Sequence, residues 1–265
     1  MQHHLQQLAI AGSAVGKLPE FSPDWAVFLD IDGTLLEHVE RPDAVRPDPA
    51  LGKLLVDLHE ATGGALALIS GRPVVELDAL FAPLRFPTAG QHGIERRDAD
   101  RKVHQHTFPV EPLRRAARQL GEFAARHAGL LLEDKGHSLA LHFRLAPELA
   151  GIAREAVANV LATLGPEFEM QAGKLVFEIK PGGRDKGTAI EEFMAEVPFA
   201  GRLPVFVGDD TSDEYGFAIV NRMGGHTIKV GPGPSTARWR VADAAAVRKW
   251  LGAFVSYVAS RADTQ

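Results

Sequence analysis

The sequence predicts an α/β fold: a doubly wound, mainly parallel, Rossmann-like sheet interrupted by an inserted α+β module. Apolar runs of strand length end in polar loops and alternate with segments of helical periodicity, the pattern of strands joined by crossover helices. Between residues 108 and 180 that order gives way to helix, strand, strand, helix, strand, strand (αββαββ), which reads as an insert. The chain of 265 residues is 45% hydrophobic and 24% charged, enough to bury such a core. Residues 1–24 are then a lead-in, 25–107 the first part of the core, 108–180 the insert and 181–265 the second part of the core.

Pro19 and Pro23 punctuate the lead-in. Residues 25–29, Trp-Ala-Val-Phe-Leu, are a continuous apolar run that breaks into Asp30-Ile31-Asp32-Gly33-Thr34, as a buried parallel strand ending in a polar loop would. Leu51, Leu54, Leu55 and Leu58 recur at helical spacing after Pro47 and Pro49, and Gly63-Gly64 end that helix. Residues 65–69 form a strand running into Ser70-Gly71-Arg72-Pro73, with Pro73 in the first turn of a helix that reaches about Phe81. In the insert, helices are expected over 111–127 and 147–164, and strands over 130–133, 138–144, 168–171 and 174–179. The core resumes with a helix over 185–196 and a strand over 204–207 that reaches Gly208-Asp209-Asp210. Helices over 212–220 and about 243–260 follow. His104 and His106 alternate along a further expected strand and receive no role.

Formal charge is -5, from 29 Lys+Arg against 34 Asp+Glu, so no basic field attracts nucleic acid. The apolar runs are strand-sized, far short of the roughly 20 residues of a membrane span. Residues 1–10 have no basic n-region, so no signal peptide is expected. The expectation is a soluble cytoplasmic monomer with a small-molecule partner. The chain has no cysteine, which excludes disulfides, thiolate metal sites and cysteine nucleophiles.

Ligands of open α/β sheets bind beyond the carboxyl ends of the strands, so the polar residues there belong together: Asp30 and Asp32, Ser70, and Asp209 with Asp210 and Asp213. Carboxylates converging on one edge repel unless a cation sits among them, and an oxygen-only set suits Mg²⁺. A carboxylate can attack phosphorus, and a second one two residues on can protonate a leaving oxygen and then activate water. Each element also has a plainer reading. Asp-x-Asp-Gly-Thr has turn composition, Ser70 could cap the following helix, and Lys186 by itself is a solvated helix lysine. The hydroxyl of Ser70 and the free N–H groups at Gly71 equally suit a phosphate.

In this order the residues resemble the four motifs of the haloacid dehalogenase superfamily (HAD): Asp30 to Thr34, Ser70, Lys186, and Gly208-Asp209-Asp210-Thr211-Ser212-Asp213. The resemblance spans about residues 25–258 and implies a HAD-like core. It implies Asp30 as nucleophile, Asp32 as general acid/base, and Ser70, Gly71 and Lys186 on the phosphoryl group. Mg²⁺ would be held by Asp30, the Asp32 carbonyl and Asp209, with Asp210 and Asp213 behind them. Dehalogenases lack the second carboxylate, so Asp32 favours phosphoryl transfer. The insert is similar to the superfamily's second cap type (C2), which closes over small substrates, usually sugar phosphates.

Three stretches are similar to the trehalose-6-phosphate phosphatase family: 90–95 (GQHGIE), 133–144 (EDKGHSLALHFR) and 173–181 (GKLVFEIKP). The family more often has Asn at the position of Gln91. The resemblance implies substrate binding by His92, Glu133, Lys135, Lys174 and Glu178, groups able to donate and accept hydrogen bonds to sugar hydroxyls. Taken alone, Glu133 to Lys135 is a charged hairpin turn and Lys174 with Glu178 a solvated strand face. The implied activity is Mg²⁺-dependent hydrolysis of trehalose 6-phosphate through an aspartyl-phosphate. Alternatives are a sucrose phosphate phosphatase, a phosphomannomutase-like phosphotransferase and a non-catalytic sugar-phosphate sensor. Residues 231–236 lack the third glycine of a dinucleotide fingerprint, and no phosphate loop of the G-x-x-x-x-G-K-[ST] type occurs.

Overall fold

The computed structural model describes residues 18–37 and 47–262. The reading of residues 1–10, and most of the lead-in with it, lies outside the described residues. The chain divides into two compact units, one running to His104 and resuming at Asp185, the other spanning Gln105–Arg184.

The larger unit is built on an eight-stranded sheet. Its strands are β1 (Trp25–Leu29), β2 (Leu66–Ile69), β3 (Thr88–Gly90), β4 (Glu95–Arg97) and β5 (Val103–Gln105). After the second unit's four strands come β10 (Leu203–Gly208), β11 (His226–Val230) and β12 (Trp239–Val241). The order is β12-β11-β10-β1-β2-β3-β4-β5. Pairing is parallel from β12 through β3, and β4 runs antiparallel to β3.

The strand period of two sends Trp25, Val27 and Leu29 to one face of the sheet. There they meet Leu51, Leu55 and Leu58 of α1 (Pro49–Ala61) and Trp250 and Phe254 of the last helix, Ala244–Ala262. Ala26 and Phe28 face the other way, onto Ile190 and Phe193 of helix Lys186–Met194 and Phe217 of helix Asp213–Arg222. Both faces are covered, which is why β1 tolerates no polar residue; Phe28 is fully buried, and truncating it to alanine would cost about 3–5 kcal/mol. Asp48 caps α1, its carboxylate accepting from Leu51 N at 2.8 Å.

The strands β3, β4, β11 and β12 escape the sequence pattern. β3 is only three residues long, and β11 (His-Thr-Ile-Lys-Val) carries a lysine among apolar neighbours. They are strands because each finds a neighbour's edge to pair with, β3 on β2, β4 on β3, β11 on β10 and β12 on β11, a relation no local window contains. The strand expected around His104 and His106 ends at Gln105. His104 Nε2 pairs with Asp98 Oδ2 at 2.7 Å, and His106, beyond the strand, accepts from Arg184 Nη2 at 2.8 Å.

The smaller unit is αββαββ. α2 (Val74–Leu80) precedes it in the larger unit; α3 (Val110–Ala125) and α4 (Ala150–Leu161) cover one face of a four-stranded antiparallel sheet. Its strands are β6 (Leu131–Asp134), β7 (Leu139–His142), β8 (Phe168–Gly173) and β9 (Val176–Pro181), in the order β6-β7-β9-β8. Leu139, Leu141, Phe177 and Ile179 pack with Leu113, Leu120, Ala153 and Val157 of the helices. The opposite face carries the charged residues. The remaining helices of the larger unit are α5 (Lys186–Met194), α6 (Asp213–Arg222) and α7 (Ala244–Ala262).

Candidate active site

Asp30 follows directly on β1 and Asp209 directly on β10, and the two strands are neighbours in register, Leu29 beside Val207. Two carboxylates are therefore forced together at the carboxyl ends of the strands. Asp30 is held by its own N–H to Val207 O at 3.0 Å and by Thr34, whose hydroxyl donates to Asp30 Oδ2 at 3.2 Å. Gly33, at φ 87°, makes the turn that brings Thr34 back, a conformation costly for other residues.

Asp213 opens α6. Its Oδ2 accepts from the N–H groups of both Asp209 and Asp210 at 2.8 Å, and its Oδ1 from Lys186 Nζ at 2.6 Å. Lys186 also donates to Asp30 Oδ1 at 2.8 Å. This lysine opens α5, fixed by a capping box in which Asp185 accepts from Thr188 N at 2.8 Å. Two glycines permit the approach. A Cβ on Gly187 would lie 2.6 Å from Tyr215 O, and one on Gly208 only 2.3 Å from Asp213 Cγ.

The electrostatics follow from this burial. Burial pushes the Asp30 carboxyl well above the ordinary range; Lys186 opposes it, and Asp213 and Asp209 add to it. Asp213 is raised by burial as well, again against Lys186. Burial would lower Lys186, but Asp213 and Asp30 outweigh it and hold the ammonium above the ordinary lysine range. Oxygen atoms of Asp30, Asp209 and Asp213 lie within 4.8 Å of one another. Three carboxylates against one ammonium leave a negative excess that a hard dication would offset, and the donors are all oxygen. Asp210 turns to its own loop, accepting from Thr211 N at 2.7 Å.

The Asp32 side chain stands outside that cluster. Arg72 grips it with a fork, Nε to Oδ2 at 2.7 Å and Nη2 to Oδ1 at 2.8 Å. Ser70 is buried, its Oγ accepting from Arg72 N at 3.1 Å. It does not cap α2. Pro73 supplies no side-chain cap there, and the Val74 N–H goes instead to Glu95 Oε1 of β4 at 2.7 Å. His92, implied as a substrate ligand, is 7% exposed, and a Cβ on Gly71 would lie 2.8 Å from its Nε2. Its N–H donates to Ser70 O at 3.0 Å and that of Gln91 to Arg72 O at 3.0 Å. The stretch 90–95 thus braces the Ser70–Val74 loop.

Sequence reasoning missed Arg72, Glu95 and Lys229. Arg72 lies in the Ser70-Gly71-Arg72-Pro73 loop at the end of a strand, and a cation at that place was its signal. Lys229 is 6% exposed and donates from Nζ to the carbonyls of Asp209 and Val230; a lysine within a buried strand was its signal.

In the smaller unit, Glu133, Lys135 and Glu178 come together. Lys135 Nζ lies 3.2 Å from Glu178 Oε1, Ser138 Oγ donates to the same oxygen at 2.6 Å, and His142 Nε2 lies 2.8 Å from Glu133 Oε2. Burial pushes Glu133 up, but the His142 bond and the charges of Lys135 and His142 prevail and hold its carboxyl below the ordinary value. Lys174 is exposed, at the turn between β8 and β9.

A sequence profile of the trehalose-phosphatase family matches residues 28–246. The chain is 49% identical over 234 residues to the trehalose-6-phosphate phosphatase of Escherichia coli K12, covering 88% of this chain and 87% of that one. It is 43% identical over 237 residues to a probable trehalose-phosphate phosphatase of Sinorhizobium fredii, covering 88% and 89%. Among solved structures, a trehalose-6-phosphate phosphatase related protein superposes with a TM-score of 0.77 at 26% identity, covering 89% of this chain and 99% of the other. The C-terminal domain of the Candida albicans trehalose-6-phosphate phosphatase gives 0.77 at 20% identity over 88% and 92%, which speaks to the fold. With the carboxylates and Lys186 assembled at the strand ends, and with this breadth of likeness, the chain belongs to the trehalose-phosphatase family of phosphoric monoester hydrolases.

Proposed function

We propose that the protein hydrolyses trehalose 6-phosphate to trehalose and phosphate through an aspartyl-phosphate on Asp30, with Mg²⁺ as cofactor. The observation that carries this is the ammonium of Lys186 bridging Asp30 and Asp213, with Asp209 alongside. Asp30 and Asp209, with the Asp32 carbonyl, would hold the ion, which supplies charge neutralisation for the phosphoryl oxygens. Lys186, Ser70 and the Gly71 N–H would bind those oxygens.

Asp30 attacks phosphorus while the bond to the sugar oxygen breaks, and Asp32 gives that oxygen its proton. Asp32, now a carboxylate, takes a proton from water as the water oxygen attacks phosphorus; the bond to Asp30 breaks and phosphate leaves. Sugar hydroxyls are assigned to Glu133, Lys135, Lys174 and Glu178. No helix among the described residues is long and apolar enough to cross a membrane.

The test is phosphate release across a panel of sugar phosphates, with and without EDTA. The expected result is preference for trehalose 6-phosphate, loss with EDTA and recovery with Mg²⁺. Asp30→Asn is expected to lose on the order of 10³-fold or more in kcat. Equal rates on glucose 6-phosphate would remove the substrate assignment, and full turnover by Asp30→Asn would remove the nucleophile.

A further inference from the structure

The two glutamates assigned to the sugar stand in one cross-strand row. In register, Glu133 of β6 is opposite Ala140 of β7, and Ala140 is opposite Glu178 of β9. Strands lie about 4.8 Å apart, so the two glutamate backbones are separated by about 10 Å, with a single methyl between them. Polar residues stand two positions to either side of Ala140: Ser138, immediately before β7, and His142, its last residue. The period of two puts both on the face of the glutamates, as diagonal neighbours.

Each turns to a different strand. Ser138 donates to Glu178 Oε1 at 2.6 Å, and His142 Nε2 meets Glu133 Oε2 at 2.8 Å. A carboxylate only accepts, so His142 carries its proton on Nε2 in this bond. Ser138 is fully buried and Glu178 is 5% exposed, so the first bond is shielded from water and fixes one oxygen of the carboxylate. Carboxylates fixed this way meet a ligand hydroxyl already oriented, without the loss of rotamer freedom a loose glutamate would suffer on binding.

We infer that Ser138 and His142 are positioning residues for sugar recognition, the start of β7 holding Glu178 on one side and its end holding Glu133 on the other. The inference rests on the reading of those glutamates as sugar ligands. It concerns residues that touch neither phosphorus nor the metal, so its signature is selective: recognition of the sugar suffers while phosphoryl transfer does not.

The experiment compares kcat/KM on trehalose 6-phosphate with kcat/KM on p-nitrophenyl phosphate, which has no sugar, for Ser138→Ala, His142→Ala and His142→Gln. Glu133→Gln and Glu178→Gln are measured in parallel. Ser138→Ala and His142→Ala are expected to lose about 10-fold on trehalose 6-phosphate, the effect of one hydrogen bond to a charged group, and to keep wild-type values on p-nitrophenyl phosphate. His142→Gln, which retains an N–H donor, is expected to recover most of the loss. Parallel losses on both substrates, or no loss on trehalose 6-phosphate, would overturn the inference. If the glutamine variants lose trehalose 6-phosphate recognition but Ser138→Ala and His142→Ala do not, the positioning role alone falls. If the glutamine variants also match wild type, the glutamates are not sugar ligands and both readings fall.

Discussion

Arg72 occupies both carboxylate oxygens of Asp32 across 40 residues of chain, with two bonds of 2.7 and 2.8 Å in a planar fork. The Arg72 side chain is 13% exposed, and Glu76 lies within 3.7 Å of its Nη1. A carboxylate gripped at both oxygens has one orientation, and proton transfer at Asp32 requires one of those bonds to be exchanged for the sugar oxygen or water. Arg72 therefore sets where the proposed acid and base begins its movement.

Removing the fork should disorder Asp32 and slow both transfers. Arg72→Ala is expected to lower kcat about 10–100-fold, less than the roughly 10²–10⁴-fold of a positioned acid or base, because Asp32 itself remains. Arg72→Lys, which keeps the charge without the fork, should lie between the two. Steady-state kinetics on trehalose 6-phosphate check this, and wild-type kcat in Arg72→Ala would contradict it.

The buried carboxylates predict a stability response to metal. A ligand that binds only the folded state stabilises it by mass action, about 1.4 kcal/mol at ten times its dissociation constant. Saturating Mg²⁺ is expected to raise the thermal midpoint by about 3–6 °C in the wild type. Asp209→Asn removes one of the three repelling carboxylates, so its metal-free midpoint should equal or exceed that of the wild type while the response to Mg²⁺ disappears. Thermal denaturation with and without Mg²⁺ measures both effects.

Gly187 lets α5 approach α6 closely enough for Lys186 to reach Asp213. A Cβ there would come within 2.5 Å of Ile219 Cγ1 and 2.6 Å of Tyr215 O. Gly187→Ala should force the helices apart, costing about 1–3 kcal/mol, the usual penalty of overpacking. Activity should fall further than stability, because Lys186 moves with its helix. Chemical denaturation and kinetics on one preparation separate the two.

His226 gives the protein a pH dependence of known sign. Its ring lies 5.6 Å from that of Trp25 and 4.8 Å from that of Trp239, and burial, with Arg238 assisting, holds its pKa below the ordinary value. Above about pH 6.5 neither the folded nor the unfolded chain protonates it. Below that, the unfolded chain takes up a proton that the folded chain refuses, so stability falls as pH drops from about 6.5 toward the folded pKa. His59, also lowered by burial, acts in the same sense. In His226→Phe the thermal midpoint should fall less between about pH 7.5 and 5.5 than in the wild type. An identical slope in the variant would rule His226 out.

The sequence by itself determined the doubly wound core, the αββαββ insert and the residues at the strand ends. Those features rest on relations between near neighbours: a run such as Trp25 to Leu29 is apolar because both faces of its strand are covered, and Asp30 follows because the strand ends there. The tertiary structure decided which side chains meet. Arg72 on Asp32, Glu95 on the Val74 N–H, Lys229 on the Asp209 carbonyl, and Ser138 and His142 on Glu178 and Glu133 all join residues whose proximity comes from strand order and register. The strands β3 and β11 became strands for the same reason. A hydrogen bond between distant segments leaves no periodic trace in either one, because its energy depends on a geometry that exists only once the sheets have formed.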